Sequence, residues 1–239
     1  AFFCVFLAWI LEKTALKGKF MTVLSRISIP GVLILSLAAA SYAQAYTWRS
    51  ERALWEENTT RAPFQPRPWL YLAASWRQEA LREEAEDAKK MKKSNPQGMR
   101  GTELYRLYHP QAAAAWDSAE DALHHCLELT GGHSLFGHRG EPADQPSTTQ
   151  VLHWRAMNNL GALYLELNNL TRADELLQAA YFYTPKDADV LTNLGNIKGM
   201  RGDLRAAVDF YQKALMQDPQ HREASINLQQ ARALLDKEP

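Results

Sequence analysis

Apolar residues follow two unlike patterns along the chain. Up to residue 48 they run almost without a break, as AFFCVFLAWIL over 1–11 and ISIPGVLILSLAAASYAQAY over 27–46. From residue 67 onward they recur every three or four positions, the period of an amphipathic helix, and no alternating strand pattern interrupts them. The chain therefore reads as all-α, with an apolar front and a helical remainder.

Eleven helical residues reach only about 16 Å, whereas a bilayer core is about 30 Å thick. The chain also begins with Ala and not Met, so the first run reads as the end of a transmembrane helix of a longer protein, or else as a short interfacial helix. The second run is long enough to span and tolerates Pro30 in its first turn. It ends on Tyr42, Tyr46 and Trp48, the chemistry of an interfacial aromatic belt. Lys13, Lys17, Lys19 and Arg26 lie between the two runs, and the positive-inside rule puts that short basic loop in the cytoplasm. Everything after Trp48 is then expected on the periplasmic or luminal side, in a bacterium at the inner membrane. From Met21 to Ala45 the sequence also has the make-up of a cleavable signal peptide. The apolar run upstream of Met21 favours the anchor.

Further on the chain repeats itself. MNNLGALY (157–164) and LTNLGNIK (191–198) place Gly161 and Gly195 34 residues apart. Leu160, Gly161 and Tyr164 fall on one predicted helix and Ala173, Leu177 and Ala180 on the next, before Pro185. Leu194, Gly195, Ala207, Tyr211, Ala214 and Pro219 occupy the same offsets one unit later. Each Gly and the second-helix Ala let two helices approach, the large side chains fill the space between, and each Pro ends a helix. Asp203, after Gly202, is positioned to cap a helix. The pattern resembles the tetratricopeptide repeat (TPR), a 34-residue helix–turn–helix that stacks into an α-solenoid. Lys198 departs from it, standing where the pattern prefers Tyr.

After Pro219 one more amphipathic helix follows, in which Gln229 replaces the Gly, as suits a terminal cap with a polar outer face. Because solenoids need about three units, a further one is expected upstream. Its first helix would be 68–91 and its second 119–132, with Ala119, Leu123 and Cys126 at the offsets of Ala207, Tyr211 and Ala214. The charge run from Glu83 to Lys93 reads as a solvated helix end. Two long loops, 92–110 and 131–150, depart from ordinary repeat units. The organisation expected is 1–48 transmembrane, 49–67 junction, 68–150 a degenerate repeat-like unit with insertions, and 151–239 two repeats plus a capping helix.

At the junction Tyr46, Trp48, Arg49, Leu54, Trp55 and Pro63 resemble the corresponding stretch of polytopic transmembrane-and-TPR proteins, which are similar to the C-family glycosyltransferases that use polyprenyl-linked sugars. Catalytic carboxylates of that family lie in an early loop with no counterpart here. The resemblance would make this chain a non-catalytic C-terminal segment, while Trp48 and Trp55 also read as interfacial anchors.

Charge and chemistry narrow the function by what they omit. With 27 basic and 27 acidic side chains the net charge is zero, which gives no footprint for nucleic acid. The two cysteines, Cys4 and Cys126, make no disulfide framework. His124, His125 and Cys126 are adjacent and so point apart on a helix, and His133 and His138 sit in a Gly-rich loop. The helical set lacks metal-ligand spacing, while the loop pair suits either a metal or ordinary hydrogen bonds, and no metal is assigned. No phosphate loop, dinucleotide fingerprint or nucleophile elbow occurs, so no cofactor and no catalytic constellation are assigned. Asn58 and Asn169 fall in sequons. The function expected is a membrane-anchored scaffold that binds protein partners, within a membrane complex and in contact with lipid. A concave face formed by the first helices would present Arg155, Asn158, Ala162 and Leu165, then Asp189, Thr192 and Asn196. A carboxylate clamp needs lysines at these places, and Asn158 and Thr192 do not supply them.

Overall fold

The structure, a computed structural model, describes residues 19–91, 99–131 and 147–236. The chain forms two compact units, Ala1–Ser50 and Glu51–Pro239. In the first, α1 (Lys19–Thr47) contains the second apolar run. Its Leu33, Ile34, Leu35 and Leu37 are 57–70% exposed, and the Ser36 hydroxyl turns back onto the Val32 carbonyl. Ser36, Ser41 and Gln44 interrupt the apolar run. Among the described residues no helix is long and apolar enough to cross a membrane. The expectation of two spans thus finds no support in them, and the run 1–11 lies outside them.

The second unit is a succession of helices: α2 (Glu51–Arg61), α3 (Pro66–Met91), α4 (Glu103–Tyr108), α5 (Pro110–Gly131), α6 (Thr148–Glu166), α7 (Leu170–Tyr183), α8 (Ala188–Met200), α9 (Leu204–Gln217) and α10 (Arg222–Leu235). From α6 onward the helix starts are set by side chains that accept the otherwise orphaned N–H of the first turn. Ser147 and Gln150 form a reciprocal capping box, and Asn169, Asp187, Asp203 and His221 accept from Arg172, Val190, Ala206 and Ala224. Asn169 and Asp203 are one repeat apart, as are Asp187 and His221. The turn inside each repeat needs a left-handed residue, which is Asn168 (φ 58°) in the first and Gly202 (φ 83°) in the second. Pro185 and Pro219 follow directly on the C-cap residues Thr184 and Asp218.

The helices of each repeat touch where the glycines stand. A Cβ on Gly161 would lie 2.6 Å from Leu177 Cγ, and one on Gly195 would lie 2.5 Å from Tyr211 Cε1. Leu160, Tyr164, Ala173, Leu177, Ala180, Leu194, Ala207, Tyr211 and Ala214 are all 5% exposed or less. One continuous core runs from α3 to α8, with two smaller clusters at the α9 and α10 end.

Upstream, α3 and α5 form the additional helix pair. Ala119, Leu123 and Cys126 are buried, but α5 begins at Pro110, well before the expected 119. The short helix α4 occupies part of the segment expected to be a loop. The junction is also helical: α2 packs on α3, with Trp55 stacked on Tyr71 at 4.6 Å and the Trp69 indole donating to the Pro63 carbonyl. Trp48 stays 67% exposed.

The charge run on α3 is not simply solvated, because Glu84 is only 5% exposed. Its carboxylate accepts from the Arg100 guanidinium, the Tyr105 hydroxyl and the Trp116 indole, and Arg100 also lies 5.1 Å over the Trp116 ring. Burial alone would raise this carboxyl. The hydrogen bonds from Arg100, Tyr105 and Trp116 outweigh burial and hold it below its ordinary value of 4.5.

Two expectations follow. Gly161→Leu should lower stability by about 1–3 kcal/mol through overpacking, whereas Gln229→Leu, exposed on the cap, should change it by under about 0.5 kcal/mol. Chemical denaturation compares them, and equal losses would mean that the stack continues past α10. For Glu84 the folded carboxyl titrates below the unfolded one, so its contribution is present above about pH 4.5 and is lost as pH falls through the lower folded value. Glu84→Gln should cost about 3–5 kcal/mol near neutrality, because it strands the buried guanidinium. In melts across pH 2–7 the gap from wild type should close at the acid end.

Candidate interaction groove

First helices of successive units line one groove of about 710 Å³, with α3, α6, α8 and α10 contributing to its walls. Of the residues expected on this face, Asn158, Ala162, Leu165, Asp189, Thr192 and Asn196 line it. Thr192 offers little, being 1% exposed with its hydroxyl donated to the Ala188 carbonyl. Arg155 is exposed but does not line the groove. Its counterpart one repeat on, Asp189, is joined by His221 from the next helix at 2.9 Å. The residue that would do the same for Arg155 is Asp187, and it is turned to its own helix, accepting from the Val190 N–H.

Most polar groups of the groove are already engaged with one another across helices. Asn193 donates to Asn158 at 3.0 Å, Asn227 donates to Asn196 at 2.8 Å, and Asn196 donates in turn to Glu223. The Tyr211 hydroxyl also donates to Asn196. Burial, with the Glu223 carboxylate nearby, pushes this phenol up to about 12, so it remains a donor. His221 accepts the Ala224 N–H at Nδ1, which leaves Nε2 as the N–H that donates to Asp189. One imidazole therefore caps α10 and holds a groove carboxylate. At the other end the Arg77–Glu166 ion pair joins α3 to α6 and cancels its own charge. Asp189 and Glu223 remain as an acidic rim.

Sequence reasoning did not single out Asn159, Asn193, His221, Glu223 or Asn227 as groove residues. A signal for three of them was available: Asn159, Asn193 and Asn227 stand 34 residues apart, each just before the repeat Leu. The doubled role of His221 depends on its tautomer and leaves no sequence trace.

His124, His125 and Cys126 do point apart. His124 reaches the Tyr164 hydroxyl at 3.3 Å, His125 lies against Trp69, and Cys126 is fully buried. Among the described residues no group of three or more His, Cys, Asp or Glu is arranged to hold a metal, and His133 and His138 lie outside them.

With this geometry in view, the comparisons with known proteins are specific at the C-terminal end. The tetratricopeptide repeat family model matches residues 155–187 and 188–221, so the chain carries two TPR units there. No curated protein matches the chain. Among solved structures, a crystal structure of the APC/C hetero-tetramer Cut9-Hcn1 contains a similar chain, at 16% identity and a TM-score of 0.37. The alignment covers 77% of this chain and 32% of that one, so the present chain spans about a third of its length. The family match concerns the helical repeats and does not bear on the glycosyltransferase resemblance.

Burial pushes the Cys126 thiol up to about 12, which leaves almost no thiolate near neutrality. Alkylation of Cys126 in the native chain at pH 8 should be at least ~100-fold slower than in denaturant. Peptide mapping after timed quenching measures it, and fast native labelling would mean that the α3–α5 pair opens readily.

Proposed function

We propose that the chain is a protein-interaction scaffold whose groove binds a segment of a partner protein. One observation carries this reading: the walls of one open groove include the first helices of both TPR units, α6 and α8, and much of its polar lining comes from them. Stacked helical repeats present extended concave surfaces of this kind. The acidic rim of Asp189 and Glu223 suits a partner segment that is neutral or basic, and the absence of lysines at Asn158 and Thr192 disfavours a carboxylate clamp.

The membrane association belongs to the same proposal. What supports it is the exposed apolar surface of α1 at Leu33, Ile34, Leu35 and Leu37, followed by Tyr42, Tyr46 and Trp48. In this reading α1 rests in lipid and the repeats work on the non-cytoplasmic side, within a membrane complex. A cysteine placed at Gln229, in a Cys4→Ser background, tests the side: labelling by an impermeant reagent from outside is expected, and protection in intact cells would reverse the orientation.

The groove is tested by charge. Asp189→Lys with Glu223→Lys should abolish co-purification of partner proteins from solubilised membranes, while stability falls by only about 1–2 kcal/mol, because both side chains are exposed and lose first-turn charge and one hydrogen bond each. Arg155→Glu should leave co-purification intact. If the Arg155 change removes the partners and the Asp189/Glu223 pair does not, the binding face lies elsewhere.

A further inference from the structure

We infer that α4 is a second membrane contact, with its face of Leu104, Leu107 and Tyr108 seated shallowly in the bilayer to which α1 belongs. The inference rests on the membrane reading above and adds where the helical unit itself meets lipid.

A helix of six residues does not persist on its own, and such a helix is normally held by apolar side chains laid against a core. α4 is held the other way round. Thr102 caps it, accepting from the Tyr105 N–H at 3.1 Å. The Tyr105 hydroxyl donates to Glu84, Arg106 pairs with Asp117 at 2.6 and 2.8 Å, and His109, directly after the helix, meets Asp87 at 3.0 Å. These contacts with α3 and α5 fix which side of α4 faces the protein. On the other side Leu104, Leu107 and Tyr108 are 49%, 73% and 53% exposed. Their spacing of three and four puts them on one helical face. Exposed leucines scattered singly need no explanation. Three large apolar side chains held outward together by a set of polar contacts do.

Position along α3 identifies lipid as the occupant. The chain enters this unit from α1 at Glu51, and the next residue, Arg52, lies 3.6 Å from Glu79 and over the Trp76 ring. α4 is fastened to the same helix at Glu84 and Asp87, five to eight residues further on, which is about 8–12 Å. A bilayer that holds α1 is therefore within reach of α4.

The size and chemistry of the patch agree. Three side chains fall well short of the about 800 Å² that each partner of a stable protein interface buries. Lipid binding instead scales with whatever apolar area is inserted, and Tyr108 carries the kind of ring enriched at the membrane interface. Glu103 is exposed and Arg106 is spent on Asp117, so α4 offers no free cation to anionic headgroups. The contact is apolar, and zwitterionic lipid suffices for it. Held at its entry and at α4, the unit cannot turn freely about its tether, and the groove keeps one attitude to the bilayer.

The test uses the full chain in phosphatidylcholine vesicles, in a Cys4→Ser background where Cys126 is buried. A polarity-sensitive fluorophore is attached in turn at Leu107→Cys, Leu104→Cys, Gln229→Cys and Leu35→Cys, and nitroxide-labelled lipids serve as quenchers. Nitroxide near the headgroup should quench positions 107 and 104 at least ~2-fold more than nitroxide at the chain end, as insertion to about 5–10 Å requires. Gln229→Cys should not respond to either lipid. Two labelled positions on the face keep the result readable if one label disturbs α4. Quenching at Leu35→Cys without quenching at 104 and 107 would overturn this inference while leaving the membrane reading in place. So would a blue-shifted emission at 104 and 107 that no lipid nitroxide quenches, because protein would then cover the face. No quenching at any position would overturn both.

Discussion

Everything downstream of residue 147 depends on two places where a helix passes within a side chain's width of its neighbour. At Gly161 and Gly195 there is no room for a Cβ, because Leu177 and Tyr211 already occupy it. These crossings fix how the two helices of each unit lie, and thereby where the first helices of successive units fall. The groove is a consequence of that spacing. The interval of 34 residues is the length of chain needed to leave one crossing, turn twice and arrive at the next.

The upstream pair is held by different means. Between α3 and α5 the small side chains Ala73, Ala80, Ala112 and Ala119 let the helices close, but the chain returning through α4 is fastened by Glu84. A carboxylate placed in a core is costly unless every lone pair is used. Here a guanidinium, a phenol and an indole use them. Such a site confers definition more than raw stability, since it accepts one arrangement of α4 and penalises others. The family model matches residues 155–187 and 188–221, downstream of this pair.

What could be read from the sequence depended on whether the cause was local. Gly161, Gly195, Asp203 and the prolines after α7 and α9 act on their immediate neighbours, so their roles follow from periodicity and cap chemistry. Glu84 could not be read, because its burial depends on Arg100, sixteen positions away across a segment whose path no pattern predicts. Trp55 had the composition of an interfacial anchor, yet it stacks on Tyr71, a contact that needs α2 to fold back along α3. Arg155 was placed in the groove by its phase with Asp189. Asp189 lines the groove with His221 at 2.9 Å, whereas Arg155 does not line it, so phase alone does not place a side chain in the groove.

The uneven distribution of the core gives the stack a direction. The large apolar cluster ends with α8, whereas α10 is secured by two small clusters, led by Leu228, Ala231 and Ala224. In a structure where each unit touches only its neighbours, tension applied from the C-terminal end is borne by one interface at a time. α10 therefore peels first, and it takes with it His221 and Asn227. The groove would lose a wall while the rest of the solenoid stood intact, so a pull on this end opens the groove well before it unravels the protein.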